Sequence, residues 1–153
     1  MKNLFFILQV VLILFIFSPA NSQEKNTTYF PDDDTLTISG FGEIYNTLTP
    51  TMQNTLDEYV KFLSDNSNII IRIEGHSDNR GTAKQNHQRS IDRAKAVNDY
   101  LTSQGIPQNR IYWQGRSSTN PLAPNTTDLN RSKNRRVSIF PINNNINNNN
   151  NKE

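Results

Sequence analysis

Three residues with side chains familiar from hydrolases, His76, Ser77 and Asp78, stand side by side in the stretch "RIEGHSDNRGTAKQNHQRSIDRAKAV", residues 72–97. Neighbours in an extended chain point to opposite faces, so these three cannot adopt the nucleophile–base–orienter geometry of a triad. The chain has two histidines, His76 and His87, and no cysteine. Two histidines without a metal-ligand spacing do not make a metal site, and the missing cysteines exclude disulfides, thiolate chemistry and a lipid-modified N-terminal cysteine. His76 reads instead as a hydrogen-bonded structural residue. Asp78 is more informative. It follows a strand that ends at Gly75, "NRG" behind it is turn chemistry, and loops after strands commonly display ligand groups. Its plainer role is to cap that turn by accepting a backbone N–H.

Arg93 is the second charged residue in question. It lies on a helix starting near Ala83, whose apolar stripe centres on Ala94 and Leu101. Arg93 falls about a quarter turn to one side of that stripe, neither buried nor facing open water. Asn86, seven residues earlier, shares its flank. A flank beside a sheet can reach the loop leaving the preceding strand, so Asp78, Asn86 and Arg93 can converge. The competing reading is an ion pair or a solvated helix face shared with Asp92 and Lys95.

These residues need a scaffold, and the chain's length of 153 residues allows one domain with a real core. Hydrophobic content is 34% and unevenly spread, with much of it in the first twenty residues. The net charge of +2 gives no general argument for nucleic acid or an anionic membrane. Residues 1–20 read as a signal peptide: Lys2 opens it, Leu4 to Phe17 is apolar apart from Gln9, and "SPANSQ" offers small residues for cleavage. The apolar run of about 14 residues is short of the roughly 20 that span a bilayer, and an uncleaved anchor is the alternative. Residues 21–34 read as a polar linker, 35–142 as the globular domain, and the Asn-rich tail 143–153 as disordered.

Within the domain, Thr35 to Phe41 alternates as a half-buried strand does. Thr49 and Pro50 open a helix ending near Asn66, with Met52, Leu56, Val60 and Leu63 as its inner stripe. Ile69 to Ile73 is a central strand. A second helix runs from about Ala83 to Gln104, with Ile91, Ala94, Val97 and Leu101 facing inward and Gly105 as its stop. "RIYWQG" is a third strand, with Tyr112 and Trp113 as core and sheet-face residues. A loop rich in Ser, Asn, Thr and Pro follows, then one short helical turn in "LNRSKNRR" and a last strand, "RRVSIFPI". The order β-α-β-α-β-β predicts an α+β fold, a single-layer sheet with two helices packed on one face.

The same residues carry a family resemblance. "IEGHSDNRG", "RSIDRAKAV", "GIPQNRI" and "NRRV", in this order and spacing, resemble the C-terminal peptidoglycan-binding domain of the OmpA-like family, from about Leu36 to Ile142. The resemblance implies non-catalytic binding of the diaminopimelate residue in the peptide stem of peptidoglycan, with no cofactor. It implies that Asp78, Arg93 and Asn86 bind the ligand, and that Arg131 and Arg135 line the pocket. Diaminopimelate ends in an ammonium and a carboxylate on one carbon. A carboxylate can accept from the first and a guanidinium can fork onto the second. Two departures stand out: Arg89 occupies a position where the family usually has leucine, and no glycine precedes Arg131. The resemblance further implies an exported protein of the periplasm or cell envelope, without a barrel or lipid anchor, free or held by its leader. Envelope proteins are its other expected partners. The run "RSKNRR" reads as a pocket rim or strand edge rather than a nucleic-acid contact. Two alternatives remain: a peptidoglycan-cleaving enzyme, for which no nucleophile, metal or flanking carboxylate pair is evident, and a protein-interaction module that has kept the fold and lost the ligand.

Overall fold

The computed structural model of the protein describes residues 35–42 and 47–142. The leader, the linker and the Asn-rich tail expected from the sequence lie outside the described residues. Seven elements follow in order: β1 (Leu36–Ser39), α1 (Pro50–Asp65), β2 (Ile70–His76), α2 (Ala83–Ser103), β3 (Ile111–Gly115), α3 (Asp128–Asn134) and β4 (Arg136–Ile142). The expected α+β sheet is present, and the short turn before the last strand is a third helix, α3. The strands are ordered β1-β4-β2-β3. β2 and β3 are parallel, as a crossover through a helix requires, while β4 runs antiparallel to both β1 and β2.

Local chemistry fixes both long helices. Thr49 caps α1 by accepting the N–H of Met52 at 3.3 Å, and Pro50 takes the first helical position, where its missing donor costs nothing. At the other end, the Arg110 side chain donates to the carbonyls of Leu63 and Asn66 at 2.9 and 2.8 Å, satisfying groups the helix end leaves open, and to that of Ile69 at 2.9 Å. α2 begins with a capping box: Gln85 N–H donates to the Thr82 hydroxyl, and the Gln85 side chain accepts from Thr82 N–H at 2.8 Å. That box fixes the helix start directly behind the turn at Asp78. The inner stripe of α1 uses Tyr59 where the sequence suggested Val60; both fit helical spacing, and Val60 is only half-buried.

β2 ends at His76, three residues past the β-branched run and one past the strand end expected at Gly75. Ile71, Ile73, Val137 and Ile139 face the helices and form the centre of the core. Arg72, Glu74 and His76 alternate onto the other face, in register with Phe140, Ser138 and Arg136. On that face Glu74, His76, Arg136 and Ser138 are all buried despite their polar side chains. Glu74 holds Arg72 and Arg116 at 3.2 and 3.1 Å and accepts from Gln114 at 2.9 Å. The third strand departs from expectation in another way. Tyr112 is 60% exposed and Trp113 37%, because β3 is the sheet's edge strand and neither ring is enclosed in the core.

One contact sets the depth of α2. Gly75 and Gly115 are register partners, side by side on the helix-facing surface. A β-carbon added to Gly75 would lie 1.9 Å from the Ser90 carbonyl oxygen and 2.9 Å from the Ala94 nitrogen, and one on Gly115 would lie 2.5 Å from the Ser90 hydroxyl. The helix backbone therefore rests on bare strand. Gly75→Ala should destabilise the domain by at least about 3 kcal/mol, the upper end for overpacking, because the obstacle is backbone. Urea denaturation measures this directly, and an unchanged midpoint would contradict the close approach.

Candidate functional site

The turn after β2 and the first turns of α2 meet at Asp78, whose carboxylate is enclosed; the residue is 3% exposed. Oδ1 accepts the N–H of Arg80 at 3.2 Å, the turn cap read from the sequence. Oδ2 accepts three further donors: Arg80 Nε at 3.1 Å, Arg80 Nη2 at 3.0 Å and Arg135 Nη1 at 3.0 Å. Arg135 is itself anchored, since its Nε donates to the Phe41 carbonyl at 2.6 Å and its own carbonyl accepts from Gly40 and Phe41. Burial alone would raise the Asp78 carboxyl. The hydrogen bonds from Arg135 and Arg80 outweigh burial and hold the group below the usual carboxylate value, so it is ionised at neutral pH.

Arg93 reaches the same region from below. Its Nη1 donates to the His76 carbonyl at 2.9 Å, two residues before Asp78, and its guanidinium carbon lies 5.8 Å from the centroid of the Phe41 ring. The residue is 0% exposed. The expected half-exposed flank is thus corrected, and Asp92 and Lys95 do not share a face with it: Asp92 accepts from Gln88, and Lys95 pairs with Asp99. The close seat of α2 on the glycine pair, with Phe41 beside it, accounts for the enclosure. Phe41 connects the parts, its carbonyl holding Arg135 and its ring facing Arg93.

The other expected residues lie one step outward. Asn86 is buried, and its side-chain oxygen accepts from Arg89 Nη1 at 3.2 Å. The same Arg89 nitrogen donates to the Arg80 carbonyl at 2.5 Å, so Arg89 ties the helix to the turn. Arg131 forks onto Asp128 at 3.1 and 2.5 Å and donates to the Asn125 carbonyl at 2.9 Å. Asn125 in turn accepts the N–H of Asn79 at 3.3 Å, which links this group to the turn. The Arg131 hydrogen bond, chiefly, holds the Asp128 carboxyl below its usual value, and the charges of Arg80 and Arg135 act on it in the same direction. The sequence reading missed Arg80, Phe41 and Asn134. Asn134 is buried and pins the loop through Leu122, Ala123 and Asn125 at 2.8–3.0 Å. Its signal was present, because it is the first letter of "NRRV", but only the arginines had an evident charge role. Arg136, the second arginine there, is buried, bonded to Ser138 and to the Asn120 carbonyl, and faces away from any rim.

His76 corrects a further expectation. Its ring nitrogens have no hydrogen-bond partner among the described residues. Burial, assisted by the charges of Arg136 and Arg116 and opposed by Glu74, pushes its pKa down to about 4.

Taken together, an ionised, enclosed carboxylate beyond the end of the central strand, with guanidinium groups from separate segments around it, makes a charged candidate site on an α+β domain. The chain belongs to the OmpA family, whose family model matches residues 36–135. It is 38% identical over 94 residues to the outer membrane protein A of Bordetella avium, covering 61% of this chain and 48% of that one. It is 34% identical over 118 residues to the peptidoglycan-associated lipoprotein of Buchnera aphidicola, covering 77% of this chain and 62% of that one. The chain thus spans about half to three-fifths of the length of these curated relatives. Among solved structures, it resembles the peptidoglycan-associated lipoprotein of Burkholderia pseudomallei with a TM-score of 0.66 and 22% identity, covering 69% of this chain and 89% of that one, a likeness of fold. No described helix is long and apolar enough to cross a membrane.

The depressed His76 pKa has a definite consequence for stability. Between pH 6.5 and about 4 the unfolded chain binds the proton and the folded chain does not. Stability contributed by neutral His76 is therefore complete above pH 6.5 and is lost as the pH falls toward 4, by about 3 kcal/mol. Asp78 adds a loss only below its ordinary value of 3.8. Urea denaturation at pH 7 and pH 4.5 should find a decline that His76→Gln largely removes. An equal decline in the variant would contradict this assignment.

Proposed function

We propose that this domain binds peptidoglycan non-covalently and without catalysis, through the diaminopimelate residue of the stem peptide. The Asp78 carboxylate accepts from the free ammonium of that residue, and the Arg93 guanidinium takes the carboxylate on the same carbon. In this reading Asn86, Arg135 and Arg131 supply the surrounding polar contacts. The observation that carries the reading is the buried Asp78 carboxylate, ionised and held among guanidinium groups. One negative and one positive group together suit a zwitterion, and neither alone distinguishes it from a simple amine or acid. The family relatives named for association with peptidoglycan support the same reading. They also favour a place in the periplasm or cell envelope, where the protein would tether a partner to the wall.

One feature favours the alternative of an interaction module that has lost this ligand. Arg93 has no exposed surface, and Asp78 is filled by the chain's own arginines. Binding under the first reading therefore requires side chains to move aside. Isothermal titration of the protein with a diaminopimelate-containing tripeptide separates the two. The wall-binding reading predicts heat with wild type, and at least about tenfold weaker binding for Asp78→Ala and for Arg93→Ala, since each charge-assisted bond contributes about 1.5–3 kcal/mol. A lysine-containing tripeptide, lacking the terminal carboxylate, should bind more weakly. Circular dichroism checks that each variant is folded. Equal binding by folded variants would exclude this pair as the binding site.

A further inference from the structure

Tyr112 and Trp113 are adjacent aromatic residues left exposed on the edge strand β3, and they have no part in the charged site. With Arg72 and Gln114 they line a shallow recess of about 210 Å³. That volume lies below the roughly 300 Å³ at which drug-sized pockets begin, so the recess accommodates a single ring and not a whole extended ligand. Its polar members are held in place before any ligand arrives. Glu74, itself buried, pairs with Arg72 Nε at 3.2 Å and accepts from Gln114 Nε2 at 2.9 Å. The Arg72 guanidinium also lies over the Phe140 ring, 4.8 Å from its centroid. Arg72 thus keeps its other N–H groups, and Gln114 its side-chain carbonyl, for a partner at the surface. Arg72 and Tyr112 are register partners, so this fixed polar frame stands beside the phenol ring.

An aromatic face beside fixed planar donors and acceptors matches a pyranose ring. The axial C–H groups on the flat side of such a ring pack on the aromatic, while the hydroxyl and acetamido groups at its edge bond the polar side chains. Pairing with another strand would instead use the backbone of β3 and leave Arg72 and Gln114 without a role. We infer that the Tyr112–Trp113 edge is a glycan subsite, taking an N-acetylated sugar of the chain from which the stem peptide hangs. This rests on the proposed wall-binding role and extends it from the peptide to the polysaccharide. The spacing allows one ligand to reach both places. Trp113 pairs in register with Ile73, and Ile73 is five residues from Asp78, at most about 18 Å even if the chain were fully extended. A stem carrying diaminopimelate as its third residue reaches about 11 Å, and the disaccharide that bears it can cover the remainder.

Trp113 is the chain's one tryptophan, so its emission reports on this recess. The test adds three ligands to the full chain: a diaminopimelate-containing tripeptide, the disaccharide-linked form of that tripeptide, and a peptide-free tetrasaccharide of β-1,4-linked N-acetylglucosamine. Tryptophan emission should change with the two sugar-bearing ligands and stay constant with the tripeptide. Calorimetry should find the disaccharide-linked tripeptide bound at least about fivefold more tightly than the free one, the scale of one aromatic anchor. Tyr112→Ala should remove that advantage and leave tripeptide binding unchanged, whereas Tyr112→Phe, which keeps the ring face, should retain it. Equal binding of the two tripeptide forms, with constant emission, overturns the glycan subsite and leaves the wall-binding reading intact. Sugar-dependent binding lost in Tyr112→Ala, with no response to the tripeptide, supports the subsite and removes diaminopimelate as the anchor. Self-association in sedimentation that Tyr112→Ala abolishes makes this edge a contact between copies and overturns the inference. Silence toward all three ligands removes the wall-binding reading and the subsite together.

Discussion

The contact between the backbone of α2 and the paired glycines of β2 and β3 governs where Arg93, the buried charge of the helix, comes to rest. Gly75 and Gly115 lie opposite each other in the register, and Ser90 and Ala94 settle onto them. With the helix this deep, its next residues lie against the end of the central strand. Arg93 then bonds the carbonyl of His76 instead of reaching solvent, and Ser90 can receive the N–H of Ser117 from the loop after β3. Any side chain at Gly75 would lift the helix, and with it the arginine, away from the carbonyl it bonds.

Enclosing so much charge is costly unless each group finds partners. The domain meets this twice with the same arrangement. Glu74 sits between Arg72 and Arg116, and Asp78 between Arg80 and Arg135. The first set closes the polar face of the sheet. The second differs in its asymmetry, one arginine anchored to the backbone of Phe41 and the other half-exposed.

Much of the scaffold is legible in the sequence because local rules agree. Thr49 with Pro50, Thr82 with Gln85, and Gly105 with its positive φ of 93° mark helix ends to within a residue or so. The α+β class follows from the order of these elements. The last residue of β2 is not legible, because His76 reads as part of the polar turn, and the burial of Glu74 depends on Arg72 and Arg116 closing over it. The depth of Arg93 escapes for a related reason. Helical spacing gives its direction, while its enclosure depends on a register between two glycines 40 residues apart in the chain. Asp78 and Arg135 are brought into direct contact, as their shared role in the resemblance suggests, whereas Asn86 and Arg131 act through Arg89 and Asn125. Arg80 was passed over because a turn residue next to its partner looks merely local.

The most direct measurement is a crystal structure of the protein with a diaminopimelate-containing tripeptide bound. The account predicts the peptide's free ammonium at hydrogen-bond distance, about 2.7–3.2 Å, from the Asp78 carboxylate, and its neighbouring carboxylate on the Arg93 guanidinium. A peptide seated elsewhere, with the arginines still closed over Asp78, would contradict it.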